Sequence, residues 1–191
     1  MQFLLKGYKF RPTNYMYRLL LTFNATSLIL VIFLIKEEAT LNGLHEKLDN
    51  LPNFISYIIY FFIPIILTYL SLYISKFLGD SNINKGSIIE VENANNAFLP
   101  SYLGYFFVAL SVNNCETLIF VFAILFVFTF LSQTLYFNPL FLIFGYHFYN
   151  ISTSNKAKLF VITKNEINKV DDIEFTKLKR INNFTFIDKI K

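Results

Sequence analysis

Tryptophan is absent, cysteine occurs once, at Cys115, and histidine twice, at His45 and His147, in a chain of 191 residues. A single cysteine excludes a disulfide framework within one chain and a cysteine-based zinc site. Two histidines so far apart leave neither a metal cluster nor a histidine dyad. The six glycines are scattered, so no phosphate-cradling loop is present. The paired carboxylates Asp171 and Asp172 lie on a charged stretch with no partner base. No cofactor and no catalytic residue are expected, and the chain reads as non-enzymatic. Charged residues make up only 16%, where a soluble domain carries about 25%. That leaves too little polar surface for an ordinary soluble enzyme, and too much apolar residue for a disordered protein.

What the chain has is hydrophobic residue: 54% of the total, with 24 Phe and 12 Tyr. Crossing a bilayer takes roughly 20 apolar helical residues, because unpaired backbone groups are costly in lipid. Residues 19–35 and 53–75 are uncharged, the second with Pro64 in its middle. Residues 97–115 are uncharged but interrupted by Pro100 and Gly104, and 117–155 hold no charged side chain. The pattern predicts an α-helical integral membrane protein with four transmembrane helices, at about 15–35, 54–76, 97–113 and 117–137. Residues 1–14 form an N-terminal segment, and 138–191 a small β-rich C-terminal appendage.

Lys and Arg set the orientation. Lys6, Lys9, Arg11 and Arg18 precede the first span, and nine bases follow Tyr149. With both termini inside, 15 bases lie inside and 2 outside. The expectation is N-in and C-in. Apart from Arg18 and Lys76, each at a span boundary, the spans carry no charge, which counts against ion-coupled transport.

Two polar stretches offer surfaces. In the outer loop Leu41, Leu44 and Leu48 recur at helical spacing around His45, which predicts a short surface helix and a candidate sensing face. In the inner loop residues 87–92 read as a short strand, and Asn93, Asn95 and Asn96 read as a cap before the third span or as a contact site. Beyond the fourth span Asn138-Pro139 breaks the helix. Residues 138–149 read either as an interfacial helix or as the first strand of the tail. Strands follow at 157–163, 173–175 and 184–187, with Lys177, Lys179 and Arg180 as a basic link. The tail's net charge of +4 suits anionic lipid or a protein partner. It is too dilute to predict direct nucleic-acid binding.

The strings IIEVENANNAFLPSYLGYFFVALSV (88–112), FNPLFLIFGYHFYNI (137–151) and KLFVITK (158–164) resemble the KwaA family. That family is the membrane subunit of the two-gene Kiwa anti-phage system. The resemblance implies a multi-pass protein of the bacterial inner membrane that forms homo-oligomers. It implies a sensor and scaffold that works with a soluble DNA-binding partner resembling KwaB. The matched inner-face positions, with the neighbouring bases, make Lys85, Glu90, Glu92, Asn93, Asn95, Asn96, Tyr146, His147, Tyr149, Lys177, Lys179 and Arg180 the candidate docking set. Alternatives are a small oligomeric channel lined by Thr22, Asn24, Thr26 and Ser27, or an effector that depolarises the membrane.

Overall fold

The computed structural model describes residues 12–42, 48, 51–83, 85–132, 138–170, 173 and 175–188. Helix α1 (Pro12–Lys36) covers the first uncharged run. It closes with a Schellman pattern. Glu38 N–H donates to Ile35 O (3.1 Å) and Ala39 N–H to Leu34 O (2.9 Å), with Glu38 at φ 50°. Helix α2 (Asn53–Ile74) continues into a 3-10 turn, Ser75–Phe77. Helix α3 (Leu99–Ser111) and helix α4 (Cys115–Ser132) follow. Asn114 starts α4, its Oδ1 accepting the Thr117 N–H at 2.8 Å.

Among the described residues three helices are long and apolar enough to cross a membrane: Asn14–Lys36, Asn53–Phe77 and Cys115–Ser132. The third predicted span differs. α3 has 13 residues, about 20 Å of helix, against a hydrocarbon core of about 30 Å. The uncharged run there is long enough, but its first residues are used otherwise. Residues 95–98 form a turn, and Ala94 N–H donates to Phe148 O at 2.8 Å.

α1 is the hub, packed against α2, α3 and α4. Its far end meets the end of α3 through Lys36 Nζ, which donates to Val112 O. Its near end meets the end of α4 through Arg18 Nη2, which donates to Phe130 O at 3.2 Å. The outward faces of α2, α3 and α4 are apolar: Phe61, Phe62, Ile66, Leu103, Phe107, Phe120 and Phe128 are all exposed. That is the surface hydrocarbon requires and water would not tolerate.

The six strands are β1 (Asp80–Ile83), β2 (Ile88–Asn93), β3 (His147–Thr153), β4 (Lys158–Thr163), β5 (Phe175–Arg180) and β6 (Thr185–Asp188). They form one sheet in the order β1-β5-β6-β4-β3-β2, antiparallel except for the β4–β6 pair. The β-rich appendage is therefore not confined to the tail. The loop between α2 and α3 supplies both edge strands. The predicted strand at 87–92 is β2, while the Lys177–Arg180 stretch expected as a link belongs to β5. Residues 138–149 hold a one-turn helix α5 (Leu140–Ile143) and then the start of β3. Gly145, at φ 72°, makes the reversal between them.

The alternation of strand side chains builds two apolar layers. On one face Phe148, Phe160, Ile162 and Ile187 pack with Phe141 of α5 and with Tyr17 and Leu21 of α1. On the other, Tyr149, Ile151, Val161, Phe175, Leu178 and Phe186 are covered by Ile167, Val170 and Ile173. A sheet layer this small is marginal alone. Here the helix ends complete its core.

Candidate functional site

The β2 edge of the sheet carries acids, and bases lie on β5, one strand in from the other edge. On β2, Glu90 and Glu92 project to one face and are exposed. Neighbouring side chains hold them lightly: Ser152 Oγ donates to Glu90 Oε2 at 3.2 Å, and Asn150 Nδ2 to Glu92 Oε2 at 3.4 Å. A register shift between Ile88 and Glu90 leaves Ile89 exposed at this edge. At the opposite end Lys177 of β5 is exposed. Lys179 Nζ bridges Asp80 Oδ1 (2.6 Å) and Leu78 O (3.0 Å), tying β5 to β1. Arg180 turns back on the following turn, with Nε donating to Asn182 O at 3.2 Å. Its own carbonyl accepts from Asn14 Nδ2 of α1 at 3.2 Å.

The candidate docking residues therefore do not form one patch. Three strands separate β5 from β2, a distance of about 19 Å across four strand spacings. Glu90, Glu92 and Lys177 are open to a partner, whereas Lys179 and Arg180 are committed to the fold. Tyr149 is buried, and its hydroxyl accepts the Ile167 N–H at 3.0 Å.

Asn93, Asn95 and Asn96 do not cap α3 with their side chains, since its first turn has no side-chain cap. Asn93 Oδ1 accepts the Asn95 N–H at 2.9 Å. Asn95 Oδ1 then accepts the Phe148 N–H at 2.8 Å, and its Nδ2 lies 3.0 Å from His147 Nδ1. Asn95 is thus a clip between the start of α3 and the start of β3, and Asn96 beside it is exposed. Tyr146 is half-buried with Lys164 Nζ 5.1 Å from its ring centre. Burial, and secondly the nearby Asp188 charge, push its phenol above the usual range. Lys85 lies in the 3-10 turn Lys85–Ser87 before β2.

Of the outer loop, Leu41 and Leu48 are half-buried, and Leu41 N–H donates to Ser56 Oγ at 3.0 Å. Leu44 and His45 lie outside the described residues. The polar stripe weighed as a pore lining is buried within the chain. Thr22 Oγ1 donates to Arg18 O (2.8 Å), Thr26 Oγ1 to Thr22 O (3.0 Å) and Ser27 Oγ to Asn24 O (2.8 Å). Asn24 Nδ2 crosses to Leu67 O of α2 at 3.2 Å, and Asn138 Nδ2 reaches Thr68 Oγ1 at 2.9 Å. These groups pack helices together. Among the described residues no cluster of His, Cys, Asp and Glu suits a metal ion.

A family model described as the anti-phage protein KwaA matches residues 17–187. The chain belongs to the KwaA family. The match begins in α1 and ends in β6, so helices and sheet fall within one family unit. No curated protein and no solved structure matches the chain. Membership assigns this KwaA-family chain to anti-phage defence.

Asn150, Ser152 and Asp80, which shape the two edges, carried no sequence signal as site residues. Their importance comes from strand pairing between segments about 60 to 100 residues apart.

Proposed function

We propose that the chain is a non-enzymatic sensor and scaffold of the bacterial inner membrane, spanning it four times with both termini inside. Its sheet holds a soluble DNA-binding partner resembling KwaB, and the working form is a homo-oligomer. One observation carries this reading: both edge strands of the sheet are direct continuations of membrane-layer helices. β1 follows the end of α2, and β2 leads into α3. A disturbance that shifts these helices moves both edges of the docking surface, which gives the differential contact that coupling requires.

Four spans require α3 to cross with help from the residues around it. In support, the ends of α1 and α3 meet at Lys36 and Val112, while the start of α3 is tied to β3.

The test is phage challenge of cells carrying the full chain and its partner gene. Combined Glu90→Lys and Glu92→Lys substitution is expected to abolish protection while the membrane level of the protein stays unchanged. Full protection by that variant would refute the β2 edge as a docking surface.

A further inference from the structure

We propose that the 3-10 turn after α2 and the short helix α5 form an interfacial foot on an anionic lipid surface, with Lys76 taking a lipid phosphate. The proposal rests on the reading that α1, α2 and α4 cross a membrane.

The apolar outward face of α2 does not stop where the helix ends. Tyr73 and Phe77, four residues apart, are 51% and 66% exposed. α5 extends the same border sideways, since the Tyr69 ring lies 5.8 Å from that of Phe144, the residue just after α5. Ile143 of α5 is 60% exposed. Leu78, the residue after Phe77, is already inside the sheet core. The chain thus passes from lipid-facing surface to sheet within one residue, at the depth where headgroups lie. Apolar side chains this open, continuous with the face of a span, are covered by the interface itself.

Lys76 sits within this border. Its Nζ lies 3.8 Å from the Tyr73 ring centre. Among the described residues it meets no carboxylate. An ammonium over an aromatic face at headgroup depth keeps its charge available to an anion. Inorganic phosphate and lipid phosphate share that chemistry. The flanking Phe77 and Ile143 favour the source that brings hydrocarbon with it.

Because tryptophan is absent, a single introduced indole reports its own depth. Phe77→Trp, Ile143→Trp and Phe128→Trp are made separately in the full chain. They are placed in phosphatidylcholine and phosphatidylglycerol vesicles with bromine near the headgroups or near the chain ends. Residues 77 and 143 are expected to be quenched by the shallow bromine, and residue 128, in α4, by the deep one. Quenching at 128 with none at 77 and 143 overturns the foot and leaves the spans standing. No quenching at any position overturns the spanning reading.

For the phosphate seat, Lys76→Gln is expected to lower phosphatidylglycerol retained on the purified protein about fivefold, with Lys158→Gln, exposed on β4, unchanged. Equal retention by Lys76→Gln refutes the seat. Complete displacement of the lipid by inorganic phosphate alone refutes the lipid assignment.

Discussion

Replacing Asn95 by Ala is expected to loosen the joint between α3 and the sheet. Two bonds go with the carboxamide: the Phe148 N–H loses its acceptor, and the His147 contact disappears. Phe148 is fully buried and stacks on Phe160 at 5.7 Å and 11°, so water does not readily replace the lost acceptor. An unsatisfied buried donor costs about 1–3 kcal/mol, and the second bond about 0.5–1.5 kcal/mol more. The expected loss is roughly 2–4 kcal/mol, a large share of a net stability of about 5–15 kcal/mol. Asn96→Ala, one residue on and exposed, is the control and is expected within about 0.5 kcal/mol of the parent. Thermal unfolding of the full protein in detergent measures both. A melting temperature falling by roughly 5–10 °C for the first and barely for the second is expected. Equal behaviour of the two variants would refute the clip.

Three further outcomes follow from single residues. Gly145→Ala places a side chain at φ 72°, and is expected to cost about 1–2 kcal/mol in the same assay, although a Cβ there meets no neighbouring atom within 4 Å. Asn24→Asp buries a charge in the middle of α1, where the present side chain is fully buried and its Oδ1 has no partner among the described residues; a loss of about 3 kcal/mol is expected, and Asn24→Leu is expected to be neutral or stabilising. Tyr146 titrates above its ordinary value of about 10 because burial, then Asp188, disfavours its phenolate. The neutral phenol's contribution is complete below that ordinary value and is lost as pH rises through the raised one, so Tyr146→Phe is expected to move the alkaline unfolding midpoint upward.

The helices were legible because lipid imposes a crude rule, an uncharged run of sufficient length, which α1, α2 and α4 obey. α3 escaped that rule. Its run is long enough in composition, but a local turn and the Asn95 clip use its first residues. The tail strands β3, β4 and β6 were legible from alternation. β5 was not, since its ladder with β1 sets Ser81 against Leu178 and Ile83 against Phe175. Two residues on β1 thus span three on β5, and this bulge breaks the period of two. The recruitment of β1 and β2 to opposite edges had no local signal, because which distant strand an edge pairs with is decided by the whole sheet. The candidate docking residues were chosen by type, and their arrangement could not be read from the sequence. Only the strand order shows that the acids lie on the β2 edge and the bases on β5, with three strands between them.

The most direct measurement of the central claim is recovery of the tagged protein from native membranes in mild detergent, with co-eluting proteins identified. One soluble protein encoded beside it is expected in stable ratio with the parent chain. Glu90→Lys with Glu92→Lys is expected to lose it, while the membrane protein itself is recovered at the same level. Recovery of the membrane protein alone from parent cells, or an unchanged ratio with the variant, would contradict the account of the sheet as a docking scaffold.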